Sequence, residues 1–143
     1  RSFGKFFGLA GLRLGFVAAP VALTEVIRRA FGPWPVSGPA TEVGTQALSD
    51  MAWIKATRRR LTEDAQGLDA LLDRAGFTVR GGTSLFRLTE NGNAEKIFEH
   101  LGRRGILVRL FPDRPGWLRF GLPPQEEFGR LEEGISSFIR PPS

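Results

Sequence analysis

The residues best suited to chemistry stand in the first fifteen positions of the sequence. Residues 2–15 read SFGKFFGLAGLRLG and combine one hydroxyl, two cations and four glycines. Glycines permit positive φ angles and a close backbone approach, so this segment can fold tightly around a ligand. Burial of Lys5 among Phe3, Phe6 and Phe7 would disfavour its charged form, and a neutral lysine amine can attack a carbonyl. The same composition also fits a glycine-rich strand and turn with an exposed lysine.

Two arginines near the C-terminus form a second candidate site. Arg109 lies in the apolar run 106–111, and Arg119 lies in the run 117–122. Arginine among large apolar residues of a strand is unfavourable unless it is paired or faces a ligand. Both arginines could instead lie on a solvated sheet face, and Arg114, in the turn between the runs, is an alternative to Arg109.

Composition excludes several classes of protein for these 143 residues. No apolar run approaches the roughly 20 residues that span a bilayer. The absence of cysteine excludes disulfides and thiolate metal sites, and the single His100 argues against a histidine-clustered zinc site, so we expect no metal. The net charge of +5 is mostly interleaved, as in 58–60 followed by Glu63 and Asp64, which favours a solvated helix face over a nucleic-acid-binding patch. An anion-binding module and a purely structural domain remain alternatives from other classes.

The elements that must position these residues follow from hydrophobic periodicity. Apolar residues at helical spacing predict helices around 23–31, 61–75, 94–101 and 128–138, and a less regular one over 37–50. Short apolar runs predict strands at 14–18, 77–80, 85–88, 106–111 and 117–122. Helices alternating with strands after residue 60 indicate an α/β sandwich, in which helices cover a small sheet. Because the chain begins Arg-Ser-Phe-Gly, we also expect it to be a fragment of a longer protein.

The opening segment resembles the lysine motif of pyridoxal-phosphate enzymes with the aspartate-aminotransferase fold. That motif reads Ser-x-x-Lys, an aromatic residue, then Gly-Leu-x-Gly-Leu-Arg-x-Gly, and it implies pyridoxal 5'-phosphate as cofactor. By this resemblance Lys5 would carry the cofactor, while Ser2 and Arg13 would bind its phosphate. Gly4 departs from the pattern, since many relatives have a second hydroxyl there, and by the resemblance one phosphate contact would be absent.

The resemblance also implies an architecture and a substrate class. Residues 1–35 would end the large cofactor-binding domain, and residues 36–143 would be the C-terminal small domain, a two-layer α/β sandwich with a short antiparallel or mixed sheet. The wording at 32–40 (GPWPVSGPA) and 117–123 (WLRFGLP) is similar to threonine-phosphate decarboxylases of cobalamin biosynthesis, with histidinol-phosphate-type aminotransferases as the alternative. Arg119 would then bind the substrate carboxylate and Arg109 its phosphate.

Expectations for the whole protein follow from the same resemblance. The substrate would be a phosphorylated amino acid or amine, and the full-length protein would be a cytoplasmic homodimer that binds neither nucleic acid nor membrane. Family members have a ring-pairing aspartate and a stacking aromatic residue before the lysine, where this sequence has only four residues. We therefore expect the isolated fragment to be inactive.

Overall fold

The structure, a computed structural model, describes residues 2–139, which contain five α-helices and one four-stranded antiparallel sheet. The sheet order is β1-β2-β4-β3. No helix in these residues is long and apolar enough to cross a membrane. The helices are α1 (Val21–Phe31), α2 (Gly38–Ser49), α3 (Met51–Arg74), α4 (Ala94–Arg103) and α5 (Phe128–Ile139), and the strands are β1 (Thr78–Thr83), β2 (Phe86–Glu90), β3 (Arg109–Leu110) and β4 (Trp117–Gly121).

The chain divides into two compact units, Arg1–Ala56 (unit 1) and Thr57–Ser143 (unit 2). This division falls within α3, whereas the sequence predicts a domain boundary at residues 35/36. Compactness within this chain does not decide which residues belong to a large domain of a longer protein. The boundary at 35/36 therefore stays a prediction.

Unit 2 is the α/β sandwich that the sequence predicts, and its sheet is antiparallel. Alternation along β4 buries Leu118 and Phe120 and leaves Arg119 half-exposed on the opposite face. Apolar stripes of α3, α4 and α5 join the buried strand face in one core. Its members are Leu68, Leu71, Leu72, Phe77, Ala94, Ile97, Leu101, Leu118, Phe120, Leu131 and Ile135.

An ion pair ties the β1–β2 hairpin to α3 within unit 2. Arg87 donates hydrogen bonds from Nη2 to Asp69 Oδ2 at 2.9 Å and from Nε to Oδ1 at 2.5 Å. The hydrogen bond to this carboxylate raises the pKa of Arg87 above its ordinary value, so the guanidinium stays charged. The Arg87 side chain is only 14% exposed, the smallest exposed fraction of any ion-paired arginine among residues 2–139.

Local capping explains where α2 and α3 begin. Ser37 Oγ accepts a hydrogen bond from Ala40 N at 3.3 Å at the start of α2. Asp50 Oδ1 accepts one from Trp53 N at 2.9 Å at the start of α3. Gly44 of α2 is buried, and a Cβ there would lie 2.3 Å from Leu14 Cδ2, so this glycine permits close packing on the opening segment.

The structure corrects four of the predicted elements. The strand expected at 14–18 is absent. Among the described residues, Gly15 forms an isolated bridge with Ser2, and residues 16–18 belong to no strand. The strand expected at 106–111 is reduced to β3, because Ile106 N donates to Leu101 O of α4 at 2.9 Å and not to a neighbouring strand. α3 begins at Met51 instead of near residue 61, and the strand expected at 77–80 runs on to Thr83.

Candidate active site

Backbone hydrogen bonds close the opening segment of unit 1 into a loop that presents Lys5. Ser2 and Gly15 form an antiparallel bridge, and Phe3 N donates to Leu14 O at 3.1 Å beside it. Inside the loop, Gly8 N donates to Lys5 O at 3.0 Å, with Gly8 at a φ of 68° that favours glycine. The glycine-rich composition thus produces a tight loop, as the sequence predicts.

The phenylalanines of this loop do not enclose Lys5. Phe3 stacks on Phe7 with 4.7 Å between ring centroids, and Phe6 and Phe7 contact the Trp53 ring at 5.5 and 5.8 Å. Because the rings pack on one another and on Trp53, the Lys5 side chain is exposed. Of the two alternatives that the composition allows, the structure shows the exposed lysine and not its burial among the phenylalanines.

Ser2 and Arg13 line one concave surface of about 920 Å³ in unit 1, and Lys5 is not among its lining residues. Ser2 Oγ accepts a hydrogen bond from Gly4 N at 3.1 Å, so its own proton can be donated to a ligand. Arg13 Nη1 donates to Ala10 O at 3.1 Å, and this single bond leaves most of the guanidinium donors available. Arg13 also has a φ of 53°, a left-handed conformation uncommon for a residue with a side chain.

Gly4 has a steric reason to be a glycine. A Cβ at this position would lie 3.2 Å from Ala10 Cα and 3.3 Å from Ala10 Cβ. The second hydroxyl side chain that the resemblance leads one to expect here has little room. Of the phosphate ligands that the resemblance implies in this loop, Ser2 and Arg13 therefore remain the candidates.

Arg109 and Arg119 lie directly opposite each other on β3 and β4 of unit 2. Residues opposite each other on antiparallel strands have Cα atoms about 4.5–5.5 Å apart and project to the same face of the sheet. Neither guanidinium has a hydrogen-bond or ion-pair partner in the part of the chain that the structure describes. Like charges in this position destabilise the sheet, and a bound anion would relieve that repulsion.

Each of these arginines lies over an aromatic ring. Arg119 Cζ is 5.3 Å from the centroid of Phe86, and Arg109 Cζ is 5.4 Å from that of Phe111. Arg114, the alternative to Arg109, lies 5.6 Å over Trp117 from the turn between the strands. The structure therefore pairs Arg109 with Arg119 in unit 2 and Ser2 with Arg13 in unit 1.

Sequence reasoning missed three residues at these sites. Thr24 and Arg28 of α1 line the same concave surface as Ser2 and Arg13. Their spacing of four residues is a helical repeat, but nothing in the sequence relates α1 to the loop. Phe86 is read from the sequence only as an apolar strand residue, because its contact with Arg119 depends on strand register.

Comparison with known proteins now identifies the family. The model of the family "Aminotransferase class I and II" matches residues 1–135. The chain belongs to the aminotransferase class I and II family. A threonine-phosphate decarboxylase of Pseudomonas aeruginosa is 41% identical over 142 residues, which are 99% of this chain and 43% of that protein. A histidinol-phosphate aminotransferase of Granulibacter bethesdensis is 30% identical over 144 residues, covering 97% of this chain and 39% of that protein.

Solved structures of the family confirm the fold. The histidinol-phosphate aminotransferase from Clostridium acetobutylicum matches with a TM-score of 0.84 at 19% identity, over 96% of this chain and 44% of that chain. At 19% identity the match shows that the folds are similar and indicates nothing about function. The chain spans about two fifths of the length of these aminotransferase-family relatives.

Proposed function

We propose that these residues are the C-terminal part of a pyridoxal-phosphate enzyme that decarboxylates a phosphorylated amino acid. The observation that carries the cofactor assignment is the closed loop of residues 2–15, which holds Ser2, Lys5 and Arg13 in the register of the lysine motif. The reaction assignment rests on the 41% identity to a threonine-phosphate decarboxylase over 99% of this chain.

The residues of unit 1 fit a phosphate-bearing aldehyde cofactor. Arg13 offers a planar guanidinium that suits a phosphate dianion, and Ser2 offers a hydroxyl donor on the same concave surface. Lys5 is exposed and its ammonium has no hydrogen-bond partner among residues 2–139, so it is accessible for covalent attachment. When bound, pyridoxal phosphate supplies the electron sink that lets a bond at the substrate α-carbon break.

The chain's own residues then have separate roles. The Lys5 amine would hold the cofactor covalently, and its Nζ would otherwise be a base that holds a proton near the substrate. Ser2 and Arg13 hold the cofactor phosphate. In unit 2, Arg119 binds the substrate carboxylate and Arg109 the substrate phosphate, and the orientation they impose decides which bond at the α-carbon breaks.

A specific observation also favours the second candidate, a histidinol-phosphate-type aminotransferase. The direct pairing of Arg109 and Arg119 puts two guanidiniums on one sheet face, where both can bind a single phosphate dianion. A phosphate-only role for both arginines would suit a substrate with an amine and a phosphate but no carboxylate.

Ligand binding by an Arg119→Ala variant of the complete protein separates these two candidates. If Arg119 binds the carboxylate in a water-poor cleft of the complete protein, its removal leaves a buried carboxylate unpaired and weakens binding of threonine phosphate by about 2–5 kcal/mol. The loss should be much smaller for the decarboxylated analogue, aminopropanol phosphate, which has no carboxylate. The measurement is the Kd of each ligand by calorimetry at fixed ionic strength, because salt screens exposed charge pairs.

Arg103→Ala is the matched control, since Arg103 is an exposed arginine on α4 whose recorded partner is Glu99 at 3.4 Å. It should leave both Kd values unchanged. Equal losses for the two ligands in Arg119→Ala would contradict the carboxylate role and favour the aminotransferase.

The proposal also covers the oligomeric state and location of the complete protein and the activity of residues 1–143 alone. The complete protein is a homodimer and acts in the cytoplasm, as the resemblance implies. Residues 1–143 alone are inactive, because the exposed Lys5 and the open concave surface of unit 1 supply only part of the contacts that hold a cofactor ring.

A further inference from the structure

Among residues 2–139, no hydrogen-bond acceptor contacts the guanidinium of Arg119, so its donors are not used to orient it. Its cross-strand neighbours are Arg109 on β3 and Leu88 on β2, and neither can accept a hydrogen bond through its side chain. The recorded side-chain contact is with Phe86, whose ring centroid lies 5.3 Å from Cζ. A ring against the face of a guanidinium leaves all five N–H groups, which point outward in its plane, free for a ligand.

Arg87, on the neighbouring strand β2, shows the opposite arrangement. It projects to the other side of β2, and its donors are engaged by Asp69, by Thr83 O and by Phe86 O. Carboxylate and carbonyl partners hold that guanidinium in place but leave few donors for a ligand. The two arginines therefore differ in how they are held: Arg87 by hydrogen bonds and Arg119 by an aromatic face.

Strand register explains why Phe86 reaches Arg119. Phe86 is directly opposite Gly121, two residues beyond Arg119 on β4, so it is a diagonal neighbour on the same face. Aromatic side chains can span the diagonal distance of about 7–8 Å between such positions. Gly121 contributes no side chain to occupy the space between them, and the like charge of Arg109 pushes Arg119 away from β3 and toward β2.

We propose that Phe86 is a positioning residue: its ring holds the Arg119 guanidinium in place so that the free donors meet the carboxylate of the substrate. This inference rests on the role of Arg119 in the proposed function and adds the residue that orients it. Without the ring, Arg119 samples more rotamers on the open sheet face, and the substrate must order it on binding.

Steady-state kinetics of the complete protein with threonine phosphate test this role. A stacking contact of this type corresponds to about a threefold to tenfold effect on binding. Phe86→Leu should therefore raise KM about threefold to tenfold while kcat changes by less than about twofold. Phe86→Tyr keeps the ring and should restore KM to within about twofold of the unchanged protein.

Two further variants separate an effect through Arg119 from a general loss of packing. Phe98→Leu, at a half-buried position of α4 packed against the core, makes the same chemical change away from any recorded arginine contact and should leave KM unchanged. In an Arg119→Ala background, Phe86→Leu should add no further increase in KM, since both changes remove the same interaction.

Two results would overturn the role of Phe86 alone: a KM in Phe86→Leu no higher than in Phe98→Leu, or a full-sized Phe86→Leu effect that persists in Arg119→Ala. An unchanged KM in Arg119→Ala itself would contradict the carboxylate role of Arg119 in the proposed function, and the role of Phe86 with it. The single variants thus distinguish the failure of the inference from the failure of the function.

Discussion

The two units of the chain differ in how they treat their apolar side chains. Unit 2 encloses eleven buried hydrophobic residues in one core that joins three helices to the sheet. Unit 1 buries few, and α1 has no buried residue. Fifteen large hydrophobic side chains are exposed among residues 2–139, of which twelve belong to unit 1, and Trp34 is 89% exposed.

This difference indicates that unit 2 has its own hydrophobic core, whereas the exposed apolar residues of unit 1 can pack against another surface. Contiguous exposed apolar patches on a protein mark places where another surface packs. The relatives that match this chain are more than twice its length, and the predicted strand at 14–18 lacks sheet neighbours among the described residues. We expect unit 1 to complete its core against other parts of the full-length protein, while unit 2 is complete within this chain.

Separate expression of the two units should give the largest difference between them. Residues 50–143, which keep α3 whole with its capping Asp50, should unfold in one cooperative urea transition, because their core is intact. Residues 1–56 should show no transition, since so short a chain with few buried residues cannot offset its conformational entropy. Circular dichroism during urea titration measures both, and a cooperative transition in residues 1–56 would contradict the comparison.

A matched pair of leucine substitutions in the chain gives the next largest effect. Leu72 of α3 is fully buried, whereas Leu23 of α1 is 50% exposed. Leu72→Ala removes packed atoms and leaves a cavity, so it should lower the free energy of unfolding by about 2–5 kcal/mol. Leu23→Ala should change it by less than about 0.5 kcal/mol. Urea denaturation curves of the two variants provide the values, and equal losses would show that α1 packs as tightly as α3.

A pair of carboxylate substitutions should lower the free energy of unfolding by smaller amounts, again with the larger loss in unit 2. Asp69→Asn in unit 2 removes the charged partner of the sheltered Arg87 and should cost about 1–2 kcal/mol of unfolding free energy. Glu25→Gln in unit 1 breaks a 2.8 Å pair with Arg28, whose side chain is 73% exposed, and should cost at most about 0.5 kcal/mol. Measurement at low and high salt sharpens the contrast, because screening weakens the exposed pair first. A larger loss for Glu25→Gln would contradict this ranking.

The helices could be predicted because their signal lies within each segment. The apolar stripes at 94–101 and 128–138 recur every three or four residues, and both became helices that face the core. The start of α3 is harder to find in this way, since residues 51–60 are largely exposed and contribute only Ile54 and Thr57 to the buried face before Leu61. The Asp50 cap marks the start instead.

Strands and arginine contacts depend on partners that a sequence does not display. The run 14–18 has the composition of a strand, but a strand needs a neighbour, and the described residues provide only the bridge to Ser2. The sequence identified Arg109 and Arg119 as candidates, yet their direct opposition and the ring beneath Arg119 follow from the register of three strands. The exposure of Lys5 likewise depends on Trp53, which draws the neighbouring rings away.

The central claim, that Lys5 carries the cofactor, is tested most directly by the absorption spectrum of the complete protein after addition of pyridoxal phosphate and exhaustive dialysis. Lys5→Ala should lose the visible absorption band and the release of carbon dioxide from threonine phosphate, because the covalent attachment point is gone. Lys55→Ala, at an exposed lysine in the first turns of α3, should keep both. A visible band that survives dialysis in Lys5→Ala would contradict the account.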